Sequence, residues 1–179
     1  MTIPTTIISK PQIDISHQKI HEGNHFDIHI VRTGINIVNP KDILFIPPIS
    51  AVIPSDTIEI HLIFSVTSNT GVTVQLFEGT TATDNGIAID IINHNRRSSL
   101  TSLCEVFENP TVSDTGISIF IFRAGTATSA GNLALRRDED EYILHPSTNY
   151  LLRITPLADN TDMTIVLDWY DNRPSSPVS

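Results

Sequence analysis

A single cysteine, Cys104, occurs in the 179 residues. One thiol closes no loop, so the chain has no internal disulfide framework and suits a reducing compartment. Aromatic residues make up 6% and charged residues 17%. So few rings leave little material for a carbohydrate-stacking platform. So few charges, beside 40% hydrophobic residues, exclude a disordered chain. Basic residues are scarce, with 11 Lys and Arg against 20 Asp and Glu, a net charge of −9. Phosphate neutralisation needs a basic face, so nucleic acid is not expected as a partner. No run approaches the roughly 18–20 apolar residues of a membrane span, and no membrane partner is expected. The densest run, Ile43-Leu44-Phe45-Ile46, stops at Pro47-Pro48. Met1 to Lys10 has neither a basic n-region nor an apolar h-region, so no signal peptide is expected.

What the chain has in abundance is branched side chains: 27 Ile, 20 Thr and 10 Val. Two heavy atoms on Cβ restrict χ1 and fit a pleated surface better than a helix. Mean hydropathy is +0.02, and the length suits one domain with a sizeable core. Residues 57–67 carry the cleanest strand pattern. Ile58, Ile60, Leu62, Phe64 and Val66 alternate with Thr57, Glu59, His61, Ser65 and Thr67. Phe26, Ile28 and Ile30 share one face, with Asp27 and His29 opposite. Further strands are expected at Val72 to Leu76, Ile87 to Ile91, Thr101 to Phe107, Tyr150 to Ile154 and Ile165 to Trp169. Ile117 to Phe122 is apolar on both faces except at Ser118, which predicts a strand packed on both sides.

Turn residues punctuate these runs at Asn69-Thr70-Gly71, Asp84-Asn85-Gly86, Asp114-Thr115-Gly116 and Asp159-Asn160-Thr161. Residues 79–86 and 124–141 read as long loops, the second holding the best helical candidate, Ser129 to Glu141. Many short strands with frequent turns predict an all-β, single-domain β-sandwich of jelly-roll type over residues 13–171. Residues 1–12, bounded by Pro4 and Pro11, predict an extended N-terminal arm, and residues 172–179 a disordered tail.

His17, His21, His25 and His29 recur every four residues. That spacing puts them on one face of a helix, or on one face of a strand. Gly23 and Asn24 interrupt the run, and Ile13, Ile15, Phe26, Ile28 and Ile30 keep strand period, so a hairpin turning at Glu22-Gly23-Asn24 is expected. Facing histidines could hold a divalent ion. The simpler reading is hydrogen-bonded surface and interface histidines, because no Cys or Asp joins at a recognised ligand spacing. No metal and no cofactor is therefore expected.

Asp138-Glu139-Asp140-Glu141 lacks the interleaved spacing and glycine of a calcium loop and reads as a solvated or contact segment. No Gly-x-Ser-x-Gly elbow or phosphate-cradling glycine loop occurs, so no enzyme is expected. Cys104 reads as a buried, inert thiol and Trp169 as core. Nothing in the sequence places Glu105 and Glu108 on facing elements, as a glycosidase pair requires.

The segment His17-Gln-Lys-Ile-His-Glu-Gly-Asn-His-Phe26 resembles a motif near the start of small virion proteins of tailed bacteriophages. Segments in matching order follow: Phe77-Glu-Gly-Thr-Thr-Ala-Thr-Asp-Asn-Gly86, Asn93-His-Asn-Arg-Arg-Ser-Ser99, His145-Pro-Ser-Thr-Asn-Tyr-Leu-Leu-Arg-Ile-Thr155 and Leu167-Asp-Trp-Tyr-Asp171. The resemblance implies a non-enzymatic capsid decoration or auxiliary head protein, made in the host cytoplasm and bound to the outer surface of the head. Its implied partners are the major capsid protein and further copies of itself, as a homotrimer. Candidate partner-binding residues are Ile3, Ile7 and Ile8 on the arm, whose strand addition to a neighbour's edge would supply main-chain hydrogen bonds, and His17, His21, His25 and His29. The alternatives are a carbohydrate-binding host-attachment module and a tail or connector component.

Overall fold

The structure is a computed structural model, and it describes residues 15–48, 58–136 and 139–172. The arm with Ile3, Ile7 and Ile8, and the tail from 173 onward, lie outside the described residues. The first element is a helix, α1 (Ile15–Glu22), followed by β1 (His25–Ile35), β2 (Lys41–Ile46), β3 (Glu59–Ser68) and β4 (Val72–Glu78). Next come β5 (Thr81–Asp84), β6 (Ile87–Ala88), β7 (Ile92–Asn93), β8 (Glu105–Glu108) and β9 (Thr111–Asp114). The chain continues through β10 (Ile117–Ala124), β11 (Gly131–Ala134), β12 (Tyr142–Leu144), β13 (Tyr150–Pro156) and β14 (Thr161–Asn172). No helix among the described residues is long and apolar enough to cross a membrane.

The expected all-β sandwich is present. One sheet runs β11-β3-β14-β1-β7, with β12 also on β3, and the other runs β10-β4-β13-β2-β8-β6. The paired strands are antiparallel. The alternation in β3 does what it predicts: Ile60, Leu62, Phe64 and Val66 are buried between the sheets. Val72, Val74 and Leu76 meet them from β4, and Tyr150, Leu152 and Ile154 from β13. Ile165, Leu167 and Trp169 of β14 complete this core, and Cys104 is buried in it. Leu44, Phe77 and Leu151 are also buried but lie in register on the opposite side of the second sheet.

The predicted turns sit where they should. Residues 69–71 and 157–160 carry the chain from one sheet to the other, from β3 to β4 and from β13 to β14. Asp84 and Asp114 each accept the amide of the glycine two residues on, at 3.0 Å. That bond lets an aspartate side chain stand in for a backbone turn.

Several expectations need correction. The histidine-rich segment is not a hairpin: Ile15–Glu22 is helical and β1 starts only at His25. Its helix is held by Gln18 and Lys19, which both donate to Glu22 at 2.7 and 2.9 Å. The helix ends as helices often do. Gly23 takes a left-handed φ of 76°, its amide bonds to Ile20 O, and the Asn24 amide bonds to Lys19 O. Ile87 to Ile91 is not one strand but spans β6 and the approach to β7, with Ile87 exposed. The loop expected at 79–86 contains β5, which pairs with β9 in a separate ribbon. The helical candidate at 129–141 is instead partly β11, because Gly131 to Ala134 finds an open edge on β3. The strand expected at Thr101 to Phe107 begins only at Glu105. Finally, β10 is not packed on both sides. It is the outermost strand of its sheet, and Ile117, Ile119, Ile121 and Phe122 are exposed.

Gly23 is a test of the helix end. A Cβ there would lie 2.3 Å from Ser98 Oγ and 2.7 Å from Ser98 Cβ, on a backbone that already disfavours L residues. We expect Gly23→Ala to destabilise the fold by about 1–3 kcal/mol, the left-handed cost plus local overpacking. Urea unfolding measures this, and an unchanged midpoint would show that α1 does not dock as described.

Candidate functional site

The outer face of the first sheet carries a row of polar and titratable side chains. In β1 the residues opposite the core-facing Phe26, Ile28 and Ile30 are His25, Asp27 and His29. Antiparallel register sets His25 beside Tyr170 and Asp27 beside Asp168, and Tyr170 beside His61 of β3. Period two in three adjacent strands therefore builds one continuous polar surface.

At one end of the row, His25 Nε2 lies 2.5 Å from Asp168 Oδ1. The His94 ring stacks on that of His25, with centroids 4.4 Å apart. His94 and His29 both reach Asp27 Oδ2 through Nε2, at 2.7 and 2.9 Å. A carboxylate only accepts, so both rings carry a proton on Nε2. Asp27 is buried, only 7% exposed, and these partners are imidazoles rather than a lysine or arginine. At the other end, His61 stacks on Tyr170 and its Nδ1 lies 2.9 Å from Glu141 Oε2. The Tyr170 hydroxyl donates to the same oxygen at 3.3 Å. Glu141, the last of the acidic run, thus belongs to this surface, while Arg136 pairs with Glu139.

The segment that carries His94 is held by its neighbours. The His94 amide bonds to His25 O at 2.9 Å. Asn93 donates through Nδ2 to Gly23 O and Leu100 O, at 2.8 and 2.9 Å. Asn95 Nδ2 donates to His21 O at 3.2 Å, near the carbonyl end of α1. These bonds fix where His94 stands against β1.

The four histidines read from the sequence do not share a face. His17 and His21 lie one turn apart on α1, exposed, with Nε2 atoms 3.1 Å apart. His25 is buried and His29 exposed, both on β1. The structure joins His25 and His29 to His94, Asp27 and Asp168 instead, residues that lie near one another only in the fold. Asp27 was legible as sharing the face of His29, but no local spacing pointed to His94 or Asp168.

Glu108 is 4% exposed and sits elsewhere, between the sheets' edges. It accepts from Arg32 Nε of β1 and Lys41 Nζ of β2, each at 2.6 Å. Burial works to raise the Glu108 pKa, but the hydrogen bonds and charges of Arg32 and Lys41 outweigh it and hold the carboxyl below its ordinary range. A carboxylate so occupied is a structural clamp, whereas Glu105 on the same strand is exposed.

The apolar counterpart of this polar face is the β10 flank. Ile117 and Ile121, on the edge strand of the second sheet, are 73% and 66% exposed. Behind them Phe120 packs edge-on against Phe64 and Tyr142, with centroids 5.5 and 6.5 Å away. A comparison of the chain with family models, with curated proteins and with solved structures finds no match.

Proposed function

We propose that this protein is a non-enzymatic structural component of a bacteriophage virion, a decoration protein on the outer surface of the head. The observation that carries the reading is β10. It is an eight-residue strand at the edge of its sheet among the described residues, with exposed Ile117, Ile119, Ile121 and Phe122. Sheet edges of this kind are usually blunted by charge, proline or cover, because they pair with other chains. An apolar edge left open fits a protein whose working state is an assembly. The resemblance of five segments to small tailed-phage virion proteins supplies the setting.

The occupant of this edge is a second copy of the chain, within a homotrimer whose repeated weak contacts with the major capsid protein add up on the lattice. The arm with Ile3, Ile7 and Ile8 is the segment suited to add a strand there. The site chemistry also favours a binding role over catalysis, since Glu108 is held in ion pairs and Cys104 is buried. A sugar-binding platform has little support. Trp169 and Tyr150 are in the core, and Phe122 is the one exposed aromatic ring among the described residues.

Sedimentation velocity on the purified protein at micromolar concentration tests the reading. The wild type should run as a trimer, and Ile117→Lys/Ile121→Lys should run as a folded monomer by circular dichroism. The double variant should also lose most co-sedimentation with undecorated heads, because multivalency is lost with the trimer. A monomeric wild type that ignores heads would overturn the proposal. Deleting residues 2–12 should weaken assembly while leaving the melting curve nearly unchanged.

A further inference from the structure

We propose that His25, His94 and Asp168 form a binding site for a single divalent transition-metal ion of the zinc class, with Asp27 as the carboxylate that orients His94. One ligand atom from each of the three residues lies within 4.8 Å of the other two. Donors around a tetrahedral zinc ion sit roughly 3.3 Å apart, given bonds of about 2.0–2.2 Å, so modest side-chain rotation closes the set. The three donors come from β1, β14 and the residue after β7, and the main-chain bond from His94 N to His25 O holds two of them in place.

The chemistry of the donor set chooses the metal. Two imidazoles and one carboxylate match zinc, nickel, cobalt and copper, whereas magnesium and calcium require mostly oxygen ligands. His94 Nε2 donates a hydrogen bond to Asp27 Oδ2, which leaves the Nδ1 lone pair to ligate. A carboxylate behind a ligating imidazole fixes its tautomer and strengthens it as a donor. The same oxygen also holds His29, so His29 supports the site without ligating. A cation also answers a charge imbalance. Asp27 is a buried carboxylate whose ion-pair partners, His29 and His94, are imidazoles. Asp27 Oδ1 is shielded from solvent and takes no hydrogen bond among the described residues. With His94 and Asp168 partly exposed, the fourth position opens to water. This inference stands apart from the virion reading and does not depend on it.

Another zinc-class site has to be separated from this one. His17 and His21, one helical turn apart, are an exposed pair that can chelate the same metals weakly. The experiment is isothermal titration of chelator-treated full-length protein with zinc chloride, repeated with magnesium and calcium chloride. One zinc per chain is expected, bound at least a hundredfold more tightly than magnesium or calcium. His94→Gln and Asp168→Asn should each weaken zinc binding by about 10–100-fold or more, and His17→Gln/His21→Gln should leave it unchanged. Asp27→Asn should weaken it by about 10–100-fold, the usual loss for an orienting carboxylate. It should also alter the visible absorption bands of the cobalt-loaded protein. Affinity should fall as pH is lowered, because protons compete with the metal for the ligand lone pairs. Circular dichroism checks that each variant is folded. Absence of tight zinc binding, its survival in both His94→Gln and Asp168→Asn, or its loss in His17→Gln/His21→Gln would each overturn the assignment.

Discussion

Trp169→Ala should lower stability by about 3–5 kcal/mol, the range for losing a fully buried aromatic residue together with the cavity it leaves. Trp169 is wholly buried in β14. Its ring meets Phe45 of β2 edge-on at 5.1 Å and Phe26 of β1 at 6.2 Å, so one side chain contacts both sheets. Its indole Nε1 also donates to Ser102 Oγ at 3.1 Å, fixing the segment before β8. Domains of this size have about 5–15 kcal/mol in total. The melting temperature should therefore fall by roughly 6–20 °C, at about 2–4 °C per kcal/mol. Thermal melts by far-ultraviolet circular dichroism measure this without relying on the only tryptophan. A loss below about 1 kcal/mol would mean that the two sheets do not close around this residue.

Glu108→Ala should be the most damaging change to a polar residue. Glu108 lies in β8 of the second sheet, and its partners are Arg32 in the first sheet and Lys41 in the second. Removing it strands the ammonium of Lys41, a residue 7% exposed, with Asn109 Oδ1 as a neutral acceptor at 2.8 Å. Breaking a buried pair from one side costs about 3–5 kcal/mol. The lower end is expected here, because Arg32 is partly exposed and can turn to water. The pair also makes stability depend on pH. The folded carboxyl titrates below its unfolded value of about 4.3. Its contribution is therefore complete above that pH and is lost as pH falls through the folded pKa. Urea unfolding between pH 6 and pH 3 should show a steeper loss in the wild type than in Glu108→Gln. Parallel curves would show that Glu108 is not held as a charged clamp.

How much of this was legible in the residues depends on whether the physics is local. Side-chain alternation is local, so β3, β4, β13 and β14 and their core residues could be read one strand at a time, and Trp169 with them. Turn chemistry is local too, and the aspartate and glycine positions stand where they were expected. The helix at Ile15–Glu22 was harder, because a four-residue spacing fits both a helical face and a strand face. Gly23 ends it with a left-handed φ, and Ser98 from a distant part of the chain packs where a Cβ would stand.

The exposure of β10 departs from its apolar pattern for a related reason. An apolar run states what a strand can bury, not whether a neighbour arrives to cover it. The sheet order, which no local pattern encodes, leaves β10 outermost with its isoleucines exposed. The same holds for the polar face. Alternation placed Asp27 and His29 on the side away from the core, but antiparallel register alone sets Asp27 opposite Asp168. The pairing of β7 with β1 then brings His94 over His25. Composition and period therefore dictate an all-β chain with a branched aliphatic core. Strand order and register, which arise from long-range pairing, decide which histidines and carboxylates meet and which apolar strand faces outward.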